Sequence, residues 1–473
     1  MSHSHKVEIP QGDHFVTPHQ YGLPRSSSQQ KLTPLDMNMP RVYGARWILC
    51  FPLPPGTSKA QVYENLKEGL AHTIRSIPWI AGRVVPEEGQ GPKHNRIQIV
   101  DSSSGLKFSC QDLTGILPPY TELKEERFPL SKLLTVQVGP MDALPQGTQQ
   151  PVMAAQANFI EGGLLLTVGV HHSVCDTLAL HLIMNTWSRN TAAASGSSKS
   201  FTTYDAPSND RSPLMEGMPG ANLTDFPEYT LRPSANVSTE EIPAMDLEMP
   251  PFAARIFHFS LGSLASLKAA AAAFSTNDAL SAFIWQRMTL ARTRSGIFAA
   301  DPSSGEETSA LAYAVNIRNR MSPPLPPTYL GNASMASMTQ RLAMSTLTSD
   351  TGLPQAAAII RKSMDAFGIP SRVPLTIGLL DSRPDPTDLK FAYNAVFGPD
   401  IFITSWAGLN VYESDWGALG TVDFLRIPGE VEDGIAIILP RLKDGGLEVS
   451  IGLRPEAMEK LLEDEEFAEV AQR

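Results

Sequence analysis

The sequence predicts an α/β protein of two domains. A chain of 473 residues is too long for a single hydrophobic core, so two domains of ordinary size are expected. Its 42% hydrophobic and 18% charged residues are typical of a chain that folds around apolar cores. Short apolar runs of strand type alternate along the chain with apolar stripes at helical spacing, which favours a protein that contains both strands and helices.

In the first half, four apolar or alternating segments predict strands, at 42–51, 97–100, 152–160 and 164–170. The last two form a hairpin across a glycine-containing turn. Ser58 is a suitable N-cap for a helix, because Val62, Leu66 and Leu70 follow it at helical spacing. A second helix is expected at 177–187.

In the second half, the same reasoning predicts strands at 254–261, 310–317, 401–406, 434–439 and 447–452, with helices at 264–273 and 279–292 and an acidic helix at the end. Residues 191–250 are rich in proline, serine and methionine, which favours a crossover between domains. The predicted organisation is a flexible N-terminus at 1–31, an N-terminal domain at 32–190, the crossover at 191–250 and a C-terminal domain at 251–473.

Charge and cysteine content exclude several classes of protein. The formal net charge of −11 argues against binding to the nucleic-acid backbone. Cys50, Cys110 and Cys175 are an odd number at wide spacing, so neither a disulfide framework nor a metal motif is expected. The N-terminal residues lack the apolar core of a signal peptide, and no apolar run reaches membrane-spanning length. We therefore expect a cytoplasmic protein without a metal or membrane partner.

The chemistry-bearing stretch is the apolar run 164–170 followed by His171, His172 and Asp176. A histidine at the end of a buried strand is held at fixed geometry, and imidazole exchanges protons near neutral pH. His172 is therefore a candidate general base. On these residues alone the alternative stays open that His172 is a hydrogen-bonded core histidine and Asp176 only caps the next helix.

Asp176 opens a predicted helix, so its carboxylate should face backbone N–H groups or a nearby arginine and shape the turn. Arg287, Arg292 and Arg294 are the candidate arginines.

The 171–176 stretch resembles the HxxxD site of the BAHD acyl-CoA-dependent acyltransferases, in particular a fungal branch that includes trichothecene acetyltransferases. Further stretches resemble family motifs in the family's order, at 32–36, 275–285, 315–321 with 329–332, and 404–406 with 412–417. Two departures stand out. Thr177 replaces the glycine that usually follows the family's aspartate, and 415–420 lacks the second aromatic residue and terminal Gly-Lys-Pro of the family's motif.

The resemblance implies two chloramphenicol-acetyltransferase-like domains, each a mixed β-sheet flanked by helices, with a solvent channel between them. It implies transfer of an acyl group, with acetyl expected, from acyl-CoA to a hydroxyl of a specialised metabolite. His172 would act as general base and the alcohol would attack the thioester directly. Acyl-CoA is then a co-substrate, no other cofactor is needed, and a monomer is expected.

Further residues receive roles by the same resemblance. Thr404 and Trp406 would line the acceptor side, although Trp406 fits core packing equally well. Basic or helix-opening residues could meet CoA, or could only cap a helix or hold a loop: Ser275, Thr276, Arg318 and Arg320. Structural roles are expected for Asp415, Gly417 and Arg292, with Asp415 pairing with an arginine of the 287–294 segment.

Two other functions are compatible with the sequence. A condensation-type enzyme has a related histidine site but uses a carrier-bound thioester; the 415–417 region and the expected absence of a fused carrier domain argue against it. A non-catalytic small-molecule receptor of the same fold would not need both His172 and Asp176 intact.

Overall fold

A computed structural model describes residues 9–89, 91–133, 135–139, 149–196, 199–232, 249–298, 307–429 and 431–472. In chain order its strands are β1 (Phe15–Val16), β2 (Gln30–Lys31), β3 (Ala45–Pro52), β4 (Arg83–Pro86), β5 (Ile97–Val100), β6 (Leu106–Asp112), β7 (Gln150–Pro151), β8 (Met153–Ile160), β9 (Gly163–Val170), β10 (Tyr229–Leu231), β11 (Ala253–Phe259), β12 (Thr308–Ser309), β13 (Leu311–Asn316), β14 (Ser334–Met338), β15 (Leu342–Ala343), β16 (Leu389–Phe391), β17 (Ile401–Ser405), β18 (Phe424–Arg426), β19 (Ile435–Ile438) and β20 (Leu447–Leu453).

The α-helices are α1 (Pro34–Asn38), α2 (Lys59–Ser76), α3 (Tyr120–Glu125), α4 (Thr135–Val138), α5 (Thr177–Ala194), α6 (Ala206–Asn209), α7 (Leu261–Ala270), α8 (Thr276–Arg294), α9 (Met344–Leu347), α10 (Gly352–Asp365), α11 (Arg372–Asp381), α12 (Pro455–Leu462) and α13 (Glu465–Val470). Within the described ranges, none of these helices combines the length and apolar character needed to cross a bilayer.

The chain divides into two compact units. Unit 1 comprises residues 1–215, 325–333 and 409–429, and unit 2 comprises 216–324, 334–408 and 430–473. Two short segments of the C-terminal half thus belong to unit 1, whereas the sequence suggested contiguous domains. The bounds 32–190 and 251–473 remain a prediction, and part of the expected crossover, 233–248, lies outside the described residues.

Unit 1 is organised around a six-stranded mixed sheet of order β1-β6-β8-β9-β3-β18. Only β6 and β8 run parallel, and every residue of β8 and β9 is buried. A second sheet has the order β2-β5-β4-β7, and α2 packs against α5. The strands β1 and β2 hold part of the predicted flexible N-terminus in these two sheets, and residues 1–8 lie outside the described residues.

Unit 2 contains a six-stranded mixed sheet of order β11-β20-β19-β17-β13-β14. Its core is formed by apolar residues of the sheet together with α7, α8, α10 and α12. The long helix α8 begins at a capping box in which Ser275 and Asp278 exchange side-chain to backbone hydrogen bonds. The predicted α/β class, with mixed sheets flanked by helices, is therefore confirmed.

Candidate active site

The strand β9 places the histidine pair at the end of a fully buried element. Its last residue, Val170, is in register with Met153 on one side and Ala45 on the other. Beyond the strand, the backbone N–H of His171 donates to Val152 O at 2.9 Å, and that of His172 donates to Val42 O at 2.8 Å. The segment is therefore fixed by backbone hydrogen bonds to the two neighbouring segments, at Val152 and at Val42.

The His172 side chain is half-buried, and its ring nitrogen Nδ1 is inaccessible to solvent. This nitrogen is buried and faces the protein's own backbone. A substrate proton could therefore be taken only at Nε2. Burial lowers the pKa of His172, with smaller opposing contributions that include its own backbone and Asp176. The imidazole is consequently neutral near pH 7, which is the form that accepts a proton.

Gly44 lies directly against the imidazole of His172. A Cβ added at Gly44 would stand 2.6 Å from Cδ2 of His172 and 3.2 Å from Cγ. These distances are too short for ordinary contact between carbon atoms. The absence of a side chain at this position therefore leaves the space that the ring occupies.

Asp176 begins α5 as its N-cap. Its Oδ1 accepts a hydrogen bond from Ala179 N at 2.9 Å, and its Oδ2 accepts one from Ala333 N at 2.9 Å. The carboxylate thus faces backbone N–H groups, as its place at a helix start predicts, and ties the helix to a distant segment. That Asp176 shapes the turn that carries His172 stays a prediction.

Two of the arginines considered as partners of Asp176 have acidic partners within their own unit. Arg292 pairs with Asp433 at 2.8 Å, both side chains being almost fully buried. Arg287 pairs with Glu466 at 2.6 Å.

The two other polar residues of the stretch are buried. Nε2 of His171 lies 2.8 Å from Gln150 Oε1, and burial lowers the pKa of His171 to about 4. Cys175 is a buried thiol. His171 and Cys175 are both buried, whereas His172 is partly exposed. Of the two histidines, His172 is therefore the one suited to base chemistry.

Unit 2 has a cleft of about 360 Å³ beside the start of α8. Ser275, Asn319, Arg320 and Ser405 are among the residues that line it. Ser275 Oγ accepts from Asp278 N at 3.1 Å, so this serine caps the helix as well as facing the cleft. Thr276 is the first residue of α8 and is half-buried.

Arg318 and Arg320 differ in accessibility. The side chain of Arg318 is buried, and its Nη1 lies 3.3 Å from Asn316 Oδ1 in the turn after β13. Arg320 lines the cleft and lies over the ring of Phe367. Arg318 is thus placed in the loop and Arg320 is accessible from the cleft, and which of them meets CoA stays a prediction.

Thr404 and Trp406 lie at the end of β17. Thr404 is half-buried and is in register with Ile437 of β19. Trp406 is buried, and its backbone N–H donates to Ile438 O at 2.8 Å. Ser405, between them, is the exposed residue that reaches the cleft.

The predicted pairing of Asp415 with an arginine of the 287–294 segment is wrong. Asp415 instead forms an exposed ion pair with Lys199, and its Oδ1 also accepts from Gly417 N at 2.9 Å. Gly417 has a φ of +66°, and a Cβ there would lie 2.2 Å from Ser195 Oγ. Asp415 and Gly417 therefore form a tight turn against the end of α5, where only glycine fits.

The described residues contain no group of three or more histidine, cysteine or acidic side chains arranged to hold a metal ion.

Sequence comparison decides the family. The profile of the Transferase family matches residues 6–468. The chain belongs to the Transferase family. This is the BAHD family that the ordered motifs predict, and that prediction is confirmed.

Related proteins span nearly the same length. Acyltransferase easC of Emericella nidulans is 29% identical, over 94% of this chain and 95% of the relative. Eremophilane O-acetyltransferase ORF8 of Penicillium roqueforti is 28% identical, over 93% and 98%. Trichothecene 3-O-acetyltransferase TRI101 of Fusarium sporotrichioides is 27% identical, over 89% and 92%.

Solved structures show the same fold. The crystal structure of F. sporotrichioides TRI101 complexed with coenzyme A and T-2 matches with a TM-score of 0.79 at 24% identity, over 94% of this chain and 99% of that one. Vinorine synthase matches with a TM-score of 0.65 at 18% identity, over 98% of each chain. The predicted two-domain fold of the family is confirmed by these matches.

Proposed function

We propose that the protein transfers an acyl group, with acetyl as the expected group, from acyl-CoA to a hydroxyl of a specialised metabolite. The observation that carries the proposal is the half-buried His172 at the end of β9, kept neutral by burial and with Nδ1 sealed. Membership of the Transferase family and O-acetyltransferase relatives support the same reaction.

In this proposal, Nε2 of His172 takes the proton of the acceptor hydroxyl. The oxygen attacks the carbonyl carbon of the thioester and forms a tetrahedral intermediate. The carbon–sulfur bond then breaks, and the CoA thiolate leaves and is protonated by the imidazolium. His172 returns to its neutral form, and general-base catalysis of this kind contributes on the order of a hundred- to ten-thousand-fold in rate.

The donor site is proposed from the accessible residues of the cleft, and the acceptor site from the resemblance of 404–406 to the family's motif. Arg320 and the N-terminus of α8 at Ser275 face the cleft of unit 2, and both are suited to phosphate or carbonyl oxygens of CoA. Thr276 extends the same helix start. Thr404 and Trp406 are proposed to line the acceptor side.

We propose further that the protein acts as a cytoplasmic monomer without nucleic-acid or membrane partners. The net charge of −11 supports the absence of a nucleic-acid partner. Size-exclusion chromatography with light scattering measures the mass in solution, and a dimer mass would contradict the monomer.

The decisive assay incubates the pure protein with acetyl-CoA and a panel of hydroxylated terpenoid and polyketide alcohols. We expect free CoA thiol to appear only when an acceptor alcohol is present, with the acetylated product identified by mass spectrometry. Thiol release that does not depend on any alcohol, or its complete absence across donors, contradicts the proposal. If only carrier-loaded acetyl reacts while acetyl-CoA does not, the enzyme is of the condensation type.

A further inference from the structure

The segment that carries His172 is held by side chains from distant parts of unit 1. The backbone carbonyl oxygen of His172 accepts a hydrogen bond from Asn332 Nδ2 at 2.9 Å. Two residues later, the carbonyl oxygen of Val174 accepts one from Arg211 Nη2 at 2.9 Å. These bonds orient the peptide planes on both sides of the turn, so they constrain the direction in which the imidazole leaves the backbone.

A single carboxylate connects the two side chains that make these bonds. Oδ2 of Asp36 accepts from Arg211 Nη1 at 2.8 Å and from Thr33 Oγ1 at 2.9 Å. Its Oδ1 accepts from Asn332 Nδ2 at 2.9 Å and from Asn332 N at 3.1 Å. The amide of Asn332 therefore bridges the Asp36 carboxylate and the His172 carbonyl.

This cluster is buried and charged. The side chain of Asp36 is 0% exposed and that of Arg211 is 6% exposed. Burial alone would lower the pKa of Arg211, but the charge of Asp36, its hydrogen bond and smaller contributions from Tyr329 and Cys175 together raise it. A buried ion pair whose hydrogen bonds are satisfied is rigid, because any displacement separates charges in a medium of low dielectric constant.

We propose that Asp36, Arg211 and Asn332 are positioning residues for His172. The inference rests on the proposed role of His172 as general base. It extends that role to residues that touch neither the acceptor oxygen nor the thioester carbon. Asn332 bonds the carbonyl oxygen of His172, and Arg211 bonds the carbonyl oxygen of Val174. Asp36 holds the side chains of Asn332 and Arg211 in place. A 1 Å misplacement of a catalytic group can cost about a hundredfold in rate, so such a cluster can control turnover.

The test compares two buried asparagines of unit 1. Asn332→Ala removes the bond to the His172 carbonyl and leaves the pair of Asp36 and Arg211 in place. Asn190→Ala is the matched control, because Asn190 is equally buried and bonds Thr73 Oγ1 and Thr202 N, away from the His172 turn. Each variant loses hydrogen bonds of a buried amide, so a similar fall in melting temperature is expected for both.

The kinetic results should separate the two variants. We expect Asn332→Ala to lower kcat about ten- to a hundredfold with little change in KM for acyl-CoA, and Asn190→Ala to keep kcat within about threefold of the wild type. Equal kcat values for the two variants would overturn the inference. If Asn332→Ala does not fold, Arg211→Lys decides, because it keeps a positive charge beside Asp36 but loses the guanidinium group that bonds Asp36 and the Val174 carbonyl at once. Wild-type kcat in folded Arg211→Lys would contradict the proposal.

A second readout does not depend on turnover. In protein labelled with ¹³C at histidine Cε1, the His172 resonance should shift or broaden in Asn332→Ala and stay unchanged in Asn190→Ala. An unchanged resonance in Asn332→Ala overturns the positioning role. If the wild type shows no acyl transfer while the resonance still responds, the proposed function has failed and the positioning of His172 stands.

Discussion

Substituting Gly44 by alanine tests whether the place of the His172 imidazole controls the reaction. The new Cβ would lie 2.6 Å from Cδ2 of His172. Ordinary carbon contacts are about 3.5–4.0 Å, so the ring must retreat by about 1 Å. A shift of that size can cost about a hundredfold in kcat, which corresponds to about 2.7 kcal/mol of activation free energy.

The fold should tolerate the change. Gly44 is exposed, and its φ lies outside the left-handed region, so alanine fits the backbone and slightly restricts the unfolded chain. Gly368→Ala is the control, because nothing lies within 4 Å of a Cβ added there. Both variants should melt within a few degrees of the wild type, while only Gly44→Ala loses kcat in the thiol-release assay. Folded Gly44→Ala with kcat within about threefold of the wild type would refute the reasoning.

Three further predictions concern protonation and buried charge. Since burial lowers the pKa of His172 in the free protein and only the neutral ring accepts a proton, the acidic limb of the kcat/KM–pH profile should have its midpoint below about 6.5, and a higher midpoint would contradict this. His181 is buried with a pKa of about 4, so the unfolded chain takes up this proton first as pH falls from about 6.5. Between pH 7 and pH 5, urea unfolding should therefore show a loss of unfolding free energy that is smaller in His181→Gln than in the wild type by roughly 2 kcal/mol. An equal loss in both proteins would argue against this. Asp433→Asn removes the charge that pairs with the buried Arg292 and should cost about 3–5 kcal/mol of unfolding free energy. Asp415→Asn, in an exposed ion pair, should cost less than about 1 kcal/mol. Similar losses in the two variants would contradict the argument that burial decides the cost.

Local sequence pattern was sufficient for the elements that carry the site. The unbroken apolar run of β9 and the capping residues of α5 and α8 are short-range signals, so the sequence alone places Asp176 and Ser275 at helix starts. Helix ends were less well placed. The helix predicted to end at 187 continues to Ala194, because its last turns pack against α2.

Contacts between side chains that are far apart in the chain could not be predicted from the sequence. Arg211 meets Asp36 across 175 residues of chain, and neither periodicity nor spacing points from one to the other. The same limit explains the error at Asp415, whose partner Lys199 is one of many surface cations that could have been chosen. The clearance at Gly44 also depends on tertiary structure, since no recognisable turn motif marks this glycine. Accessibility, which separates Arg318 from Arg320, follows from packing and not from composition.

The most direct measurement is the turnover of His172→Ala with acetyl-CoA and an accepted alcohol, alongside acetyl-CoA binding measured by calorimetry. General-base catalysis predicts a fall in kcat of about a hundred- to ten-thousand-fold while donor binding stays near that of the wild type. Full turnover in a folded His172→Ala variant would contradict the central role given to this histidine.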